Sequence, residues 1–132
     1  MRVPIYQVDA FTRGVFGGNP AAVCPLERWL ADPVMQAIAA ENNLSETAFF
    51  VPAAAGEAAD YDIRWFTPAV EIDLAGHPTL ATAYVIFTRL DPARSRVTFR
   101  SKSGLLVATR DGERVAMDFP ARPPAPCEPP PG

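Results

Sequence analysis

The chain has 132 residues, 48% hydrophobic and 20% charged, a balance that suits one soluble globular domain with a real hydrophobic core. A net charge of −3 argues against a nucleic-acid partner, which would call for a basic surface. Lys102 is the only lysine, so Schiff-base chemistry has little to draw on, and Cys24 and Cys127 show no metal-ligand or disulfide-framework spacing.

The opening Met1-Arg2-Val3-Pro4-Ile5-Tyr6 has neither a signal-peptide nor a transit-peptide pattern, so the expected compartment is the cytoplasm. Residues 2–12, rich in Val, Ile, Tyr and Phe, predict a first strand. Residues 14–20 predict a turn, and Ala21 to Cys24 a second strand stopped by Pro25. Asp32-Pro33 predicts a helix start with Asp32 as N-cap. Val34 with Ile38 and Met35 with Ala39 place one apolar stripe on that helix, and Asn42-Asn43 ends it. Residues 45–52 and 61–67 read as strands, the second half-buried because Tyr61, Ile63 and Trp65 alternate with Asp62 and Arg64.

Gly76-His77-Pro78 predicts the start of another helix. From Pro78 to Thr88 no residue is charged, and a helix apolar on every face is a buried one. It is too short to span a bilayer, which takes roughly 18 apolar residues, so no membrane partner is expected. Residues 96–101, 105–110 and 113–119 predict a three-stranded meander with turns at Ser103-Gly104 and Asp111-Gly112, Val115, Met117 and Phe119 sharing a face. The expected fold class is α+β: about six or seven strands in a mostly antiparallel sheet around one buried central helix, with a second helix outside. Residues 1–119 form the expected domain. Residues 120–131 hold seven prolines, so 120–132 reads as a proline-rich linker or tail, with a second domain absent.

Three places put polar groups in apolar surroundings. Glu46 shares a strand face with Ala48 and Phe50, where burial disfavours a carboxylate and tunes it toward general acid/base work. The plain alternative is a wet glutamate at a strand end. His77, the only histidine, stands at a helix N-terminus, where the dipole disfavours its protonated form. It would serve as a neutral hydrogen-bond partner or a proton relay, with a structural cap as the alternative. A lone histidine without ligand-spaced partners does not make a metal site. Gly17-Gly18 before Asn19 permits close backbone approach to a ligand, although a plain turn explains it equally and no dinucleotide or phosphate-loop spacing is present.

Taken in order, the stretches Asp9-Ala10-Phe11-Thr12, residues 17–23, residues 41–49, Arg64-Trp65-Phe66-Thr67-Pro68 and residues 71–81 resemble the phenazine-biosynthesis PhzF-like family of the diaminopimelate-epimerase-like fold. The resemblance implies one half of a two-domain enzyme whose cleft lies between the halves. It implies Glu46 as the catalytic carboxylate of a cofactor-independent isomerisation and His77 as a second catalytic group beside the substrate. Gly76, His77, Asn19 and Asp73 are then the expected substrate-binding residues, and the substrate a small-molecule carboxylate. No metal or other cofactor is expected. The cysteine common in the family before the Gly-His pair is Ala75 here, which argues against a two-thiol racemase mechanism. The expected partner is a second copy, in a dimer or larger homo-oligomer, or a second domain that completes the cleft. A non-catalytic binding or interaction module that keeps the fold is the alternative.

Overall fold

The computed structural model describes residues 4–8, 21–54, 58–73, 76–111 and 114–118. The predicted turn at 14–20 and the proline-rich segment 120–132 lie outside the described residues. Among the described residues, eight strands form one sheet: β1 (Tyr6–Val8), β2 (Ala21–Pro25), β3 (Glu46–Pro52), β4 (Tyr61–Phe66), β5 (Glu71–Ile72), β6 (Arg96–Ser101), β7 (Gly104–Asp111) and β8 (Arg114–Asp118). Their order is β1-β2-β3-β4-β6-β7-β8, with β5 also on β4. The pairings β2–β3 and β4–β6 are parallel and the other five antiparallel, so the sheet is mixed but mostly antiparallel, as expected.

The strands divide their side chains between two cores, as period-two alternation requires. Val23, Ala48, Phe50, Ile63, Trp65, Val97, Phe99, Leu106 and Ala108 face one side and pack with Ala81, Ala83, Val85, Ile86 and Phe87 of the central helix. Cys24, Phe49 and Phe66 face the other side, where they meet Met35 and Ala39 of the outer helix. The central helix, α2 (Gly76–Val85), touches neighbouring β2 and β3 near one edge of the sheet and β8 at the other, so the sheet curls around it.

α2 is not buried all round. Pro78, Thr79, Ala81, Thr82, Ala83 and Val85 are buried, but Tyr84 is 41% exposed and reaches the surface. A hydropathy pattern finds the missing charges but not which position reaches the surface. The last turn widens into π-helix over Ile86–Leu90, closed by the Asp91 N–H donating to the Ile86 carbonyl at 2.7 Å. Arg110 donates to the Phe87 carbonyl at 2.7 Å and caps the same end.

α1 (Asp32–Asn42) ends as predicted. Asn43 takes the left-handed conformation at φ 53° and donates to the Ala39 carbonyl. Its start differs. Ala31, extended at φ −62° and ψ 143°, holds the N-cap position, and Asp32 is the first helical residue without a side-chain cap bond. The Asp32 carboxylate pairs with Arg64 at 3.1 Å instead, a charge-assisted bond that also suits an acid in a first turn. The β6–β7 turn is shifted by one residue: Lys102-Ser103 form it, and Gly104, at φ 115°, opens β7 opposite Ser101. At the next hairpin Asp111 pairs with Arg114 across Gly112 and Glu113, which lie outside the described residues, as do the Met117 and Phe119 side chains; Val115 packs on the inner core.

Burial pushes the Cys24 thiol up to about 12, and its side chain is fully enclosed. In a Cys127→Ser background, Cys24 therefore resists alkylation in the native state and labels only on unfolding. Mass spectrometry after a timed iodoacetamide pulse, with and without denaturant, checks this.

Candidate functional site

β4 organises the inner end of the molecule, because its edge is shared. β6 pairs with its first residues, Tyr61 and Asp62, and β5 with its last, Trp65 and Phe66. On the other edge β3 runs antiparallel, with Thr47 opposite Phe66 and Ala48 opposite Trp65. The Trp65 side chain points into the inner core and donates from Nε1 to Thr79 Oγ1 at 2.9 Å, both residues being buried. This bond ties the first turns of α2 to the C-terminal end of β4. The far end of α2 is held near β7 through Arg110 and Phe87, and β7 meets β6 there, with Thr109 opposite Arg96. α2 therefore runs from the Trp65 end of the sheet to the opposite end, with Gly76 and His77 at the Trp65 end.

Glu46 stands at that same end. It is the first residue of β3, one step before the Thr47–Phe66 pair. Ala48 and Phe50, two and four residues on, belong to the inner core, and so does Ala21, its neighbour in register on β2. Alternation thus places half-buried Glu46 on the inner face, at the rim of the core. Among the described residues, no hydrogen bond or ion pair occupies its carboxylate, so the group is open to a ligand.

The remaining sequence-predicted residues fall in three places. Gly76 and His77 form the first two positions of α2, so their backbone N–H groups belong to the set that a helix leaves without intrahelical partners; the His77 side chain lies outside the described residues. Asp73 follows β5, its side chain exposed and its carbonyl accepting from Ser103 Oγ at 3.0 Å. Asn19 and Ala75 lie outside the described residues. The structure thus brings Glu46 and the helix start to one end of the inner face and puts Asp73 on the approach to that helix.

Sequence reasoning missed the groups that hold this end together. Arg64 donates to both oxygens of Glu71 at 2.8 Å, and Lys102 sits 3.3 Å from the same carboxylate. The Arg64 guanidinium also lies 5.3 Å from the Trp29 ring centre and 5.5 Å from that of Phe66. The Arg64 hydrogen bond holds the Glu71 carboxyl below the ordinary carboxylate range, with help from its charge and from Lys102, and it lowers Asp32 as well. The sequence signal was the alternation of Arg64 with Trp65. Only the β4–β5 register reveals that Glu71 is the acid that meets it.

Three other features bear on function. Among the described residues, no group of three or more His, Cys, Asp or Glu side chains could hold a metal ion. An apolar groove of about 450 Å³, lined by Ile5, Val34, Ile38, Glu41 and neighbours, lies over α1 on the opposite face of the sheet from α2. Among the described residues no helix is long and apolar enough to cross a membrane.

The family model described as phenazine biosynthesis-like protein matches residues 8–128. The chain belongs to the phenazine biosynthesis-like family. It is 56% identical, over all its 132 residues, to a Pseudomonas aeruginosa protein named as an uncharacterized isomerase, and covers 49% of that protein. A crystal structure of a PhzF-family phenazine biosynthesis protein from Enterococcus faecalis superposes with a TM-score of 0.77 at 54% identity, over 87% of this chain and 43% of that one. A predicted epimerase from Pseudomonas aeruginosa superposes with a TM-score of 0.69 at 28% identity, over 87% of this chain and 41% of that one. The chain spans about half the length of the curated relatives it matches. The curled α+β sheet around one central helix is thus the fold that this family shares with an epimerase-like protein.

Because Glu71 is lowered in the folded state, its pairing stabilises the fold above the unfolded carboxylate range and loses that effect as pH falls through the folded value. Glu71→Gln is expected to cost about 1–2 kcal/mol at neutral pH, a partly buried bidentate pair being stronger than an exposed one. The difference from the unaltered protein shrinks as pH falls from the unfolded carboxylate range through the lower folded value, and vanishes once the Glu71 carboxyl is protonated in both states. Urea unfolding at a series of pH values measures both effects.

Proposed function

We propose that this chain forms half of the active site of a cofactor-independent isomerase or epimerase that moves a proton between carbons of a small carboxylate substrate. The observation that carries this reading is the meeting of an open carboxylate, Glu46, with the start of α2 at one end of the inner face, in a family whose relatives are named isomerases and epimerases. Glu46 as carboxylate takes a proton from an activated carbon. The electron pair left behind delocalises into the adjacent unsaturated or carboxylate group. The new carboxylic acid then returns the proton to another carbon, or to the opposite face of the same one. Electrons and protons balance within the substrate, so the cycle needs no oxidant and no cofactor.

The negative charge that develops on the substrate oxygen needs a partner. The N-terminal N–H groups and positive dipole end of α2, at Gly76 and His77, suit that role. His77 and Asn19 are the proposed side-chain contacts to substrate, with His77 as the second catalytic group and Asp73 at the edge of the site. The relatives' greater length supports a cleft completed from outside, by a second copy of this chain or by a further domain such as the rest of that length could hold.

Glu46→Gln removes the base while keeping the shape of the side chain. Deuterium uptake from heavy water into small cyclic and amino-acid carboxylates, read by NMR, is expected to fall by roughly 10²–10⁴-fold in the variant. The melting temperature stays close to that of the unaltered protein. The assay is run on the chain alone and on the chain joined to the remaining length of a relative. Undiminished exchange in the variant rejects Glu46 as the proton carrier.

A further inference from the structure

The Arg64-Trp65 pair has no place in the chemistry just described, yet its two side chains leave β4 on opposite faces and take hold of the chain on both sides of the α2 start. Outward, Arg64 grips both oxygens of Glu71, five residues before Gly76. Inward, Trp65 grips Thr79 Oγ1, three residues after Gly76. The chain between these grips is also held from the β6–β7 turn, by Lys102 on the Glu71 carboxylate and by Ser103 on the Asp73 carbonyl. Neither grip is loose: the Arg64 and Glu71 side chains are 18% and 19% exposed, and Trp65 and Thr79 are buried. α2 has no acidic residue in its first turn that could fix its own N-terminus electrostatically.

The geometry points to Arg64 and Trp65 as positioning residues: a two-sided clamp that sets where the Gly76-His77 helix start sits relative to Glu46. The inference rests on the proposed site, since positioning matters only if that helix start receives substrate. Its physical basis is the steep dependence of catalysis on placement, where a displacement of about 1 Å costs on the order of 10²-fold in rate. β4 suits the task because β3, which carries Glu46, is paired along its other edge. One strand thereby fixes the carboxylate through its backbone and the helix start through two neighbouring side chains.

The test needs no substrate. His77 is the only histidine in the chain, so its imidazole signals are unique in an NMR spectrum. Thr79→Val removes the acceptor of the Trp65 N–H at nearly constant volume, and Thr79→Ser keeps a hydroxyl there. Arg64→Lys keeps the charge but loses the two-pronged grip on Glu71. Val97→Ala, in the inner core on β6, serves as a control that lowers stability away from the clamp. The expected result is displacement of the Gly76 and His77 amide signals and the His77 ring signals, with faster amide exchange, in Thr79→Val and in Arg64→Lys. Thr79→Ser restores the original spectrum, and Val97→Ala leaves these signals in place despite a lower melting temperature.

The inference is overturned if both clamp variants leave the helix-start signals unmoved, or if Val97→Ala moves them as far. Should Thr79→Val fail to fold, Arg64→Lys on the outer face decides the matter alone. Loss of the proposed function leaves a different trace: deuterium uptake unaffected by Glu46→Gln, with the clamp spectra as expected. Failure of the clamp alone shows unmoved spectra together with loss of uptake in Glu46→Gln.

Discussion

The buried hydrogen bond from Trp65 Nε1 to Thr79 Oγ1 is the contact on which the arrangement of this domain turns. An indole N–H inside an apolar core must find an acceptor, or the fold bears a desolvation cost of about 1–3 kcal/mol. The acceptor it finds lies on the central helix, so satisfying one polar atom fixes that helix against the sheet. The side chains packed around the helix are otherwise largely apolar and non-directional, and Arg110 holds only the far end through the Phe87 carbonyl. Alanines 81 and 83, Val85 and Phe87 would tolerate a helix that slid or rotated by part of a turn. The hydrogen bond removes that freedom and puts the N-terminus of α2 at the Glu46 end of the sheet.

Around that contact the two faces of the sheet divide the work. The inner face holds the uncharged helix and the open carboxylate. The outer face holds α1 and the Arg64–Glu71–Asp32 cluster, with Trp29 and Phe66 beside the guanidinium. Charge is thus kept where water can reach part of it, and the desolvated side is left nearly free of it. A single half-buried carboxylate at the rim of such a core is a suitable place for proton transfer, because a low local dielectric strengthens each interaction made there.

Much of the fold was legible because it is written in local chemistry. The uncharged run from Pro78 to Thr88 announced a core helix, Asn43 announced the end of α1, and the alternation in 61–66 announced a strand. Glu46 was legible as out of place by the same alternation, with two inner-core residues sharing its face. What could not be read is what depends on register between distant segments. Asp32 looked like a helix cap because its partner Arg64 is 32 residues away in sequence. The exposure of Tyr84, the π-helical final turn and the grip of Arg64 on Glu71 depend likewise on neighbours that no local pattern names.

The central claim is that the α2 start and Glu46 together receive a small carboxylate. An NMR titration of the full chain with benzoate, following every assigned amide and the Glu46 side-chain carboxyl, tests it most directly. The account predicts saturable shifts centred on Gly76, His77 and Glu46, weakened when Thr79 loses its hydroxyl. Shifts centred instead on the apolar groove over α1, or spread evenly over the surface, would contradict it.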